Sequence, residues 1–234
     1  MKPEMTLLVA AAALAGCGTP YATLRTPAGE ELMLLGHDPV AYFTLGRPVR
    51  GYPDIRATLP GRTYYFLSET HRRMFLADPA HYEPQYGGFC GNGAAYGVKL
   101  SSDPTEFEIV DGRLFIFGDV LGREYWLLDP RFHIEKGDQM WPEAKDSGWR
   151  WQTIKRATFR VPWYKSGREL REEWQRRNPG KRLDYDPGRS FTNWFVKYPG
   201  WRAREGFGQP ALGAVGIDPC PPACPGAFSE GYRR

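Results

Sequence analysis

The chain has 234 residues, a formal net charge of +4, 41% hydrophobic and 15% aromatic residues, and 21 prolines beside 27 glycines. That length suits one moderate domain with additions, or two small ones, and it can bury a core without disulfide or metal staples. A mean hydropathy of -0.53 argues against an integral membrane protein, and the Pro and Gly content predicts long loops or extended segments.

The amino terminus reads MKPEMTLLVAAAALAGCG, a short charged start, an apolar run over 7–14 and then small residues. The run is too short to span a bilayer and has the form of a secretory signal covering residues 1–16. Leu14-Ala15-Gly16-Cys17 resembles the lipobox of bacterial lipoproteins. That resemblance implies cleavage before Cys17 and acylation of its sulfur and amine, which would hold the mature chain on a membrane surface facing the periplasm. Export leaves Cys90, Cys220 and Cys224 in an oxidising compartment. Cys220 and Cys224 could close a small disulfide loop, although Pro221 and Pro222 between them restrict its geometry.

Residues 17–31 read as a tether between lipid and domain. An apolar stretch over 32–35 leads to a turn at Gly36-His37-Asp38-Pro39, and 40–43 reads as a short strand. Pro60-Gly61 suits the centre of a type II turn between strands at 55–59 and 63–67. Over 63–67 bulky side chains point alternately to both faces, so this strand is expected to be covered on each side. Ser68 then caps a helix over 69–77, ended by Asp78-Pro79 because a residue before proline avoids the helical region. Within that helix His71 shares a face with Met74 and Phe75 and is expected to point inward. Inward histidines are usually core residues with a satisfied hydrogen bond.

The loop Gln85-Tyr86-Gly87-Gly88-Phe89-Cys90-Gly91-Asn92-Gly93 has four glycines in nine residues but matches neither a phosphate loop nor a dinucleotide fingerprint. Asp111-Gly112 between two apolar runs is the strongest hairpin signal in the chain. Helices are expected over 120–128 and 132–140, before Trp141-Pro142. The composition then changes. From residue 141 to 205, 16 Lys and Arg stand against 8 Asp and Glu, a net +8, and seven of the eight tryptophans lie there. The remaining residues must carry -4, so the overall charge conceals an asymmetry. Ser166-Gly167-Arg168-Glu169 is a capping box for a helix to Arg177, with Leu170 and Trp174 on one face. Basic residues among aromatics suit nucleic acid, but export removes that partner. Anionic lipid or an envelope protein fits better. Residues 207–234 form a Gly/Pro-rich tail.

Several ordered motifs resemble the YHS domain in its exported subgroup: Gly36-His37-Asp38-Pro39-Val40-Ala41-Tyr42-Phe43, Tyr64-Tyr65-Phe66-Leu67-Ser68, Phe75 with Asp78-Pro79 and Tyr82, Gln85-Tyr86-Gly87-Gly88-Phe89-Cys90, and Asp111-Gly112. The resemblance covers about residues 34–142 and implies an α+β domain over 32–142, a small antiparallel sheet with packed helices. The basic, Trp-rich extension would occupy 143–206. Other YHS domains occur in heavy-metal transport ATPases and metal-related enzymes, with cysteines at positions held here by Ala41, Leu67 and His71. A soft thiolate cluster is therefore absent. A mixed set of His71, His37, Asp38 and Cys90 would suit a copper, zinc or iron ion. His81 lies past the helix end and is expected to be exposed. A catalytic Cys90 would need His71 or His81 beside it and a lowered thiol pKa, and the expectation is that the chain is not an enzyme. Two functions follow: an envelope lipoprotein binding a metal, or a non-catalytic envelope scaffold whose basic aromatic surface meets a membrane or partner.

Overall fold

The structure, a computed structural model, describes residues 22–25 and 29–183. The signal segment, Cys17, most of the tether, the extension beyond 183 and the tail with Cys220 and Cys224 lie outside the described residues. Within them the fold is mixed α and β. A four-stranded sheet has the order β1 (Thr23–Arg25), β2 (Glu31–Met33), β4 (Arg62–Phe66), β3 (Tyr52–Leu59), and a two-stranded sheet pairs β5 (Asp103–Val110) with β6 (Arg113–Phe117). The helices are α1 (Pro39–Thr44), α2 (Glu69–Ala77), α3 (Pro79–Tyr82), α4 (Gly91–Ala95), α5 (Val120–Trp126), α6 (Pro130–Asp146), α7 (Trp149–Thr158) and α8 (Gly167–Arg177).

Four expectations change. The single antiparallel sheet becomes two sheets, one holding the parallel pair β2 and β4. Part of the tether is strand, because β1 pairs antiparallel with β2. Residues 40–43 are helical: the Asp38 carboxylate accepts from the amides of Val40 and Ala41, and Pro39 sits at the first helical position with its angle preset. Trp141-Pro142 does not stop α6, which runs on to Asp146 and buries Met140 and Ala144 on either side of Pro142. Packing there outweighs the lost amide of one proline.

Within the described residues the α+β unit is built from two halves whose hairpins and following helices repeat at a spacing of 51 residues. From Gly61 to Pro79 and from Gly112 to Pro130 seven of 19 positions are identical, among them Gly61/Gly112, Arg62/Arg113, Phe66/Phe117 and Asp78-Pro79/Asp129-Pro130. The geometry repeats in step. In β3 and β4 the paired residues run from Leu59 with Arg62 to Tyr52 with Phe66, and in β5 and β6 from Val110 with Arg113 to Asp103 with Phe117, each with one register shift. Ser68 caps α2 through the amide of His71, and Asp119 caps α5 through the amide of Gly122. Each half closes its own core on the corresponding rings: Tyr64, Phe66 and Phe75 in the first, Phe115, Phe117 and Trp126 in the second. Burying one such ring stabilises by about 1.5–3 kcal/mol. Leu34 and Tyr42 from the first half and Leu114 and Ile116 from the second form the seam. As expected from its pattern, β4 is covered on both faces.

The first part of the extension packs on this frame. Leu170 and Trp174 of α8 meet Tyr125, and the Trp174 indole N–H donates to Glu124 at 2.9 Å. The Trp163 indole N–H donates to the carbonyl of Ala95 at 3.0 Å.

Candidate functional site

The repeat places a helix-capping residue at one matching point in each half, Asp38 before α1 and Cys90 before α4. Just upstream of each the backbone is left-handed over three residues, Leu34-Leu35-Gly36 and Tyr86-Gly87-Gly88. These bends turn the chain so that the capping side chain enters the core beside the end of the second hairpin strand.

In the first half Asp38 is wholly buried and every lone-pair direction is used. Oδ1 accepts from the amides of Val40 at 2.8 Å and Ala41 at 3.4 Å, and Oδ2 from the amide of Leu67 at 2.7 Å. Nδ1–H of His71 donates to Oδ2 at 2.6 Å, and both side chains are 0% exposed. The other ring nitrogen of His71 faces Thr44 Oγ1 at 3.4 Å. Burying a carboxylate costs several kcal/mol unless such donors replace water, and these four do so. The inward histidine is therefore found where the spacing put it, as a partner of Asp38.

In the second half the same three amide positions, those of Asn92, Gly93 and Gly118, face the thiol of Cys90. The position equivalent to His71 is Gly122, where a Cβ atom would touch Cys90 Sγ at 3.7 Å. A neutral thiol thus occupies the cradle that holds a carboxylate in the first half. Burial pushes the Cys90 thiol above its ordinary value. A protonated sulfur is a poor nucleophile and a poor ligand.

The remaining candidates have other partners. His37 is buried and its Nδ1–H donates to the carbonyl of Leu34 at 2.9 Å. His81 is exposed, as expected, and its ring lies 4.8 Å from that of Phe43. Of His71, His37, Asp38 and Cys90, only Asp38 and His71 are brought together. Among the described residues no three His, Cys, Asp or Glu side chains are grouped so as to hold a metal ion. The donor set does not fit the ion that the family resemblance implies: the Asp38 oxygens are filled by backbone amides, the imidazole already bonds Asp38, and Cys90 belongs to the other half. A cavity of about 300 Å³ lies elsewhere, lined by Tyr96, Phe132, His133, Trp163 and the Glu173 carboxylate that bridges Lys165 and Arg177.

Burial lowers the pKa of His37 from 6.5 to about 4. The unfolded chain then takes up a proton that the folded chain refuses, so this contribution is whole above pH 6.5 and is lost as pH falls toward 4. Urea unfolding should show stability falling by on the order of 2 kcal/mol between those values, and His37→Gln should flatten the slope. An unchanged slope would assign the acid sensitivity to other groups.

The equivalence of Asp38 and Cys90 is faint in the sequence, because they stand 52 residues apart while the two Gly-Arg turns and the two later Asp-Pro steps stand 51 apart. Compared with family models, with curated proteins and with solved structures, the chain matches none.

Proposed function

We propose that this chain is a lipoprotein of the cell envelope, anchored through Cys17 and facing the periplasm, whose YHS-like α+β unit is a non-catalytic scaffold for interaction. The observation that carries this reading is the fate of the two cradles. The chemistry-bearing residues of the first, Asp38 and His71, are fully enclosed and bonded to each other and to the backbone. The second holds a buried thiol with its acidity suppressed. Groups that hold a fold together in this way present no reacting atom to a substrate, which must meet a nucleophile or base at hydrogen-bond range. The resemblance to the YHS family supports the fold, and function then belongs to the surface.

The anchor is tested by growing cells expressing the chain with radiolabelled palmitate. The parent should incorporate label and Cys17→Ala should not. Label retained in the variant would refute lipidation at this residue.

A further inference from the structure

The geometry points to α7 and the loop after it as a face that docks on an anionic lipid bilayer. This deepens the scaffold reading by naming the partner of its surface. Of the five exposed large hydrophobic side chains among the described residues, four lie between 151 and 164: Trp151 at 63%, Ile154 at 44%, Phe159 at 71% and Tyr164 at 43%. Their exposure follows from how α7 is seated. Gln152 is buried and bonds Glu143 of α6 at 3.3 Å, and Arg156 reaches the same carboxylate at 3.2 Å. That contact fixes one side of the helix against α6. On a helix of 3.6 residues per turn, Trp151 and Ile154 then lie on the opposite side.

The charge around these rings has one sign. Residues 148–165 contain Arg150, Lys155, Arg156, Arg160 and Lys165 and no Asp or Glu. Lys155, Arg156 and Lys165 bond carboxylates of neighbouring helices. Arg150 and Arg160 have no carboxylate partner among the described residues, and each guanidinium lies over a ring, Trp149 at 5.2 Å and Tyr164 at 4.7 Å. Aromatic side chains at headgroup depth flanked by cations is the arrangement that an anionic interface selects. Phosphate headgroups complement this one-sided charge while the rings seat at their depth. The face would lie along the bilayer, since no helix among the described residues is long and apolar enough to cross one.

The test uses the chain from Gly18 onward, which keeps every described residue and carries no lipid, so its outcome is independent of the Cys17 experiment. It should cosediment with phosphatidylglycerol vesicles, poorly with phosphatidylcholine vesicles, and release at molar salt. Trp151→Ala with Phe159→Ala should lower the bound fraction by about tenfold or more. Arg150→Gln with Arg160→Gln should remove much of the preference for anionic lipid. Both pairs are exposed, so thermal unfolding should match the parent and exclude misfolding as the cause. Binding indifferent to lipid charge, or equal in parent and variants, would overturn the assignment. So would a chain that ignores vesicles but self-associates through these residues in sedimentation velocity, which would make the occupant a second copy.

Discussion

Asp38→Ala is expected to destabilise the fold by about 3–5 kcal/mol, the range for breaking a buried, bonded charge. That is a large part of the 5–15 kcal/mol typical of a domain. The substitution removes the acceptor for the amides of Val40, Ala41 and Leu67 and for Nδ1–H of His71 together. The Ala41 amide keeps the backbone carbonyl of Asp38 at 3.2 Å, but the amides of Val40 and Leu67 and the His71 ring N–H lose this acceptor inside the core, which is costlier than the net worth of the bonds themselves. Three elements lose their common tie: the start of α1, the end of β4 and the inner face of α2. Asp38→Asn keeps one acceptor oxygen but turns an amide toward donors, so it should fall between parent and alanine. Urea denaturation at neutral pH reads the order. An Asp38→Ala variant as stable as the parent would remove Asp38 from the centre of the fold.

Gly51→Ala should cost about 3 kcal/mol, the upper part of the range for overpacking. A Cβ there would sit 2.2 Å from the Tyr65 carbonyl carbon and 2.4 Å from the Phe66 nitrogen. Both obstacles are backbone atoms of β4, paired with β3 on one side and β2 on the other, so no rotamer change relieves the clash. The Gly51 amide also donates to the carbonyl of Gly36 at 2.9 Å, which ties residue 51 to the bend before α1 and limits its retreat from β4. Gly148→Ala is the control, since a Cβ at Gly148 meets nothing within 4 Å. Thermal unfolding should lower the midpoint of the first variant by many degrees and barely move the second. Equal midpoints would mean that the approach of residue 51 to β4 is looser than described.

Local chemistry made much of the fold legible. Ser68 and the Ser166–Glu169 box mark helix starts, Asp78-Pro79 an end, and Pro60-Gly61 and Asp111-Gly112 the hairpin turns, each acting through neighbours a few residues away. Two local signals compete at 40–43, where Val, Tyr and Phe favour strand and Asp38-Pro39 before them imposes a helix. The parallel pairing of Leu32 with Thr63 is non-local and leaves no turn signal. The site divided the same way. His71 pointed inward as its spacing required. That its partner is Asp38, 33 residues away, and that Cys90 occupies the matching cradle of another half, are facts of tertiary packing.

The claim that Asp38 and His71 hold the fold rather than an ion is tested most directly by a double-mutant cycle with Asp38→Ala and His71→Ala, run with and without a chelator. Metal analysis after incubation with copper, zinc and iron accompanies it. The account predicts a coupling between the two residues of about 1–3 kcal/mol, unchanged by chelator, with no transition metal retained. A stoichiometric metal lost in His71→Ala, and a coupling that vanishes with chelator, would contradict it.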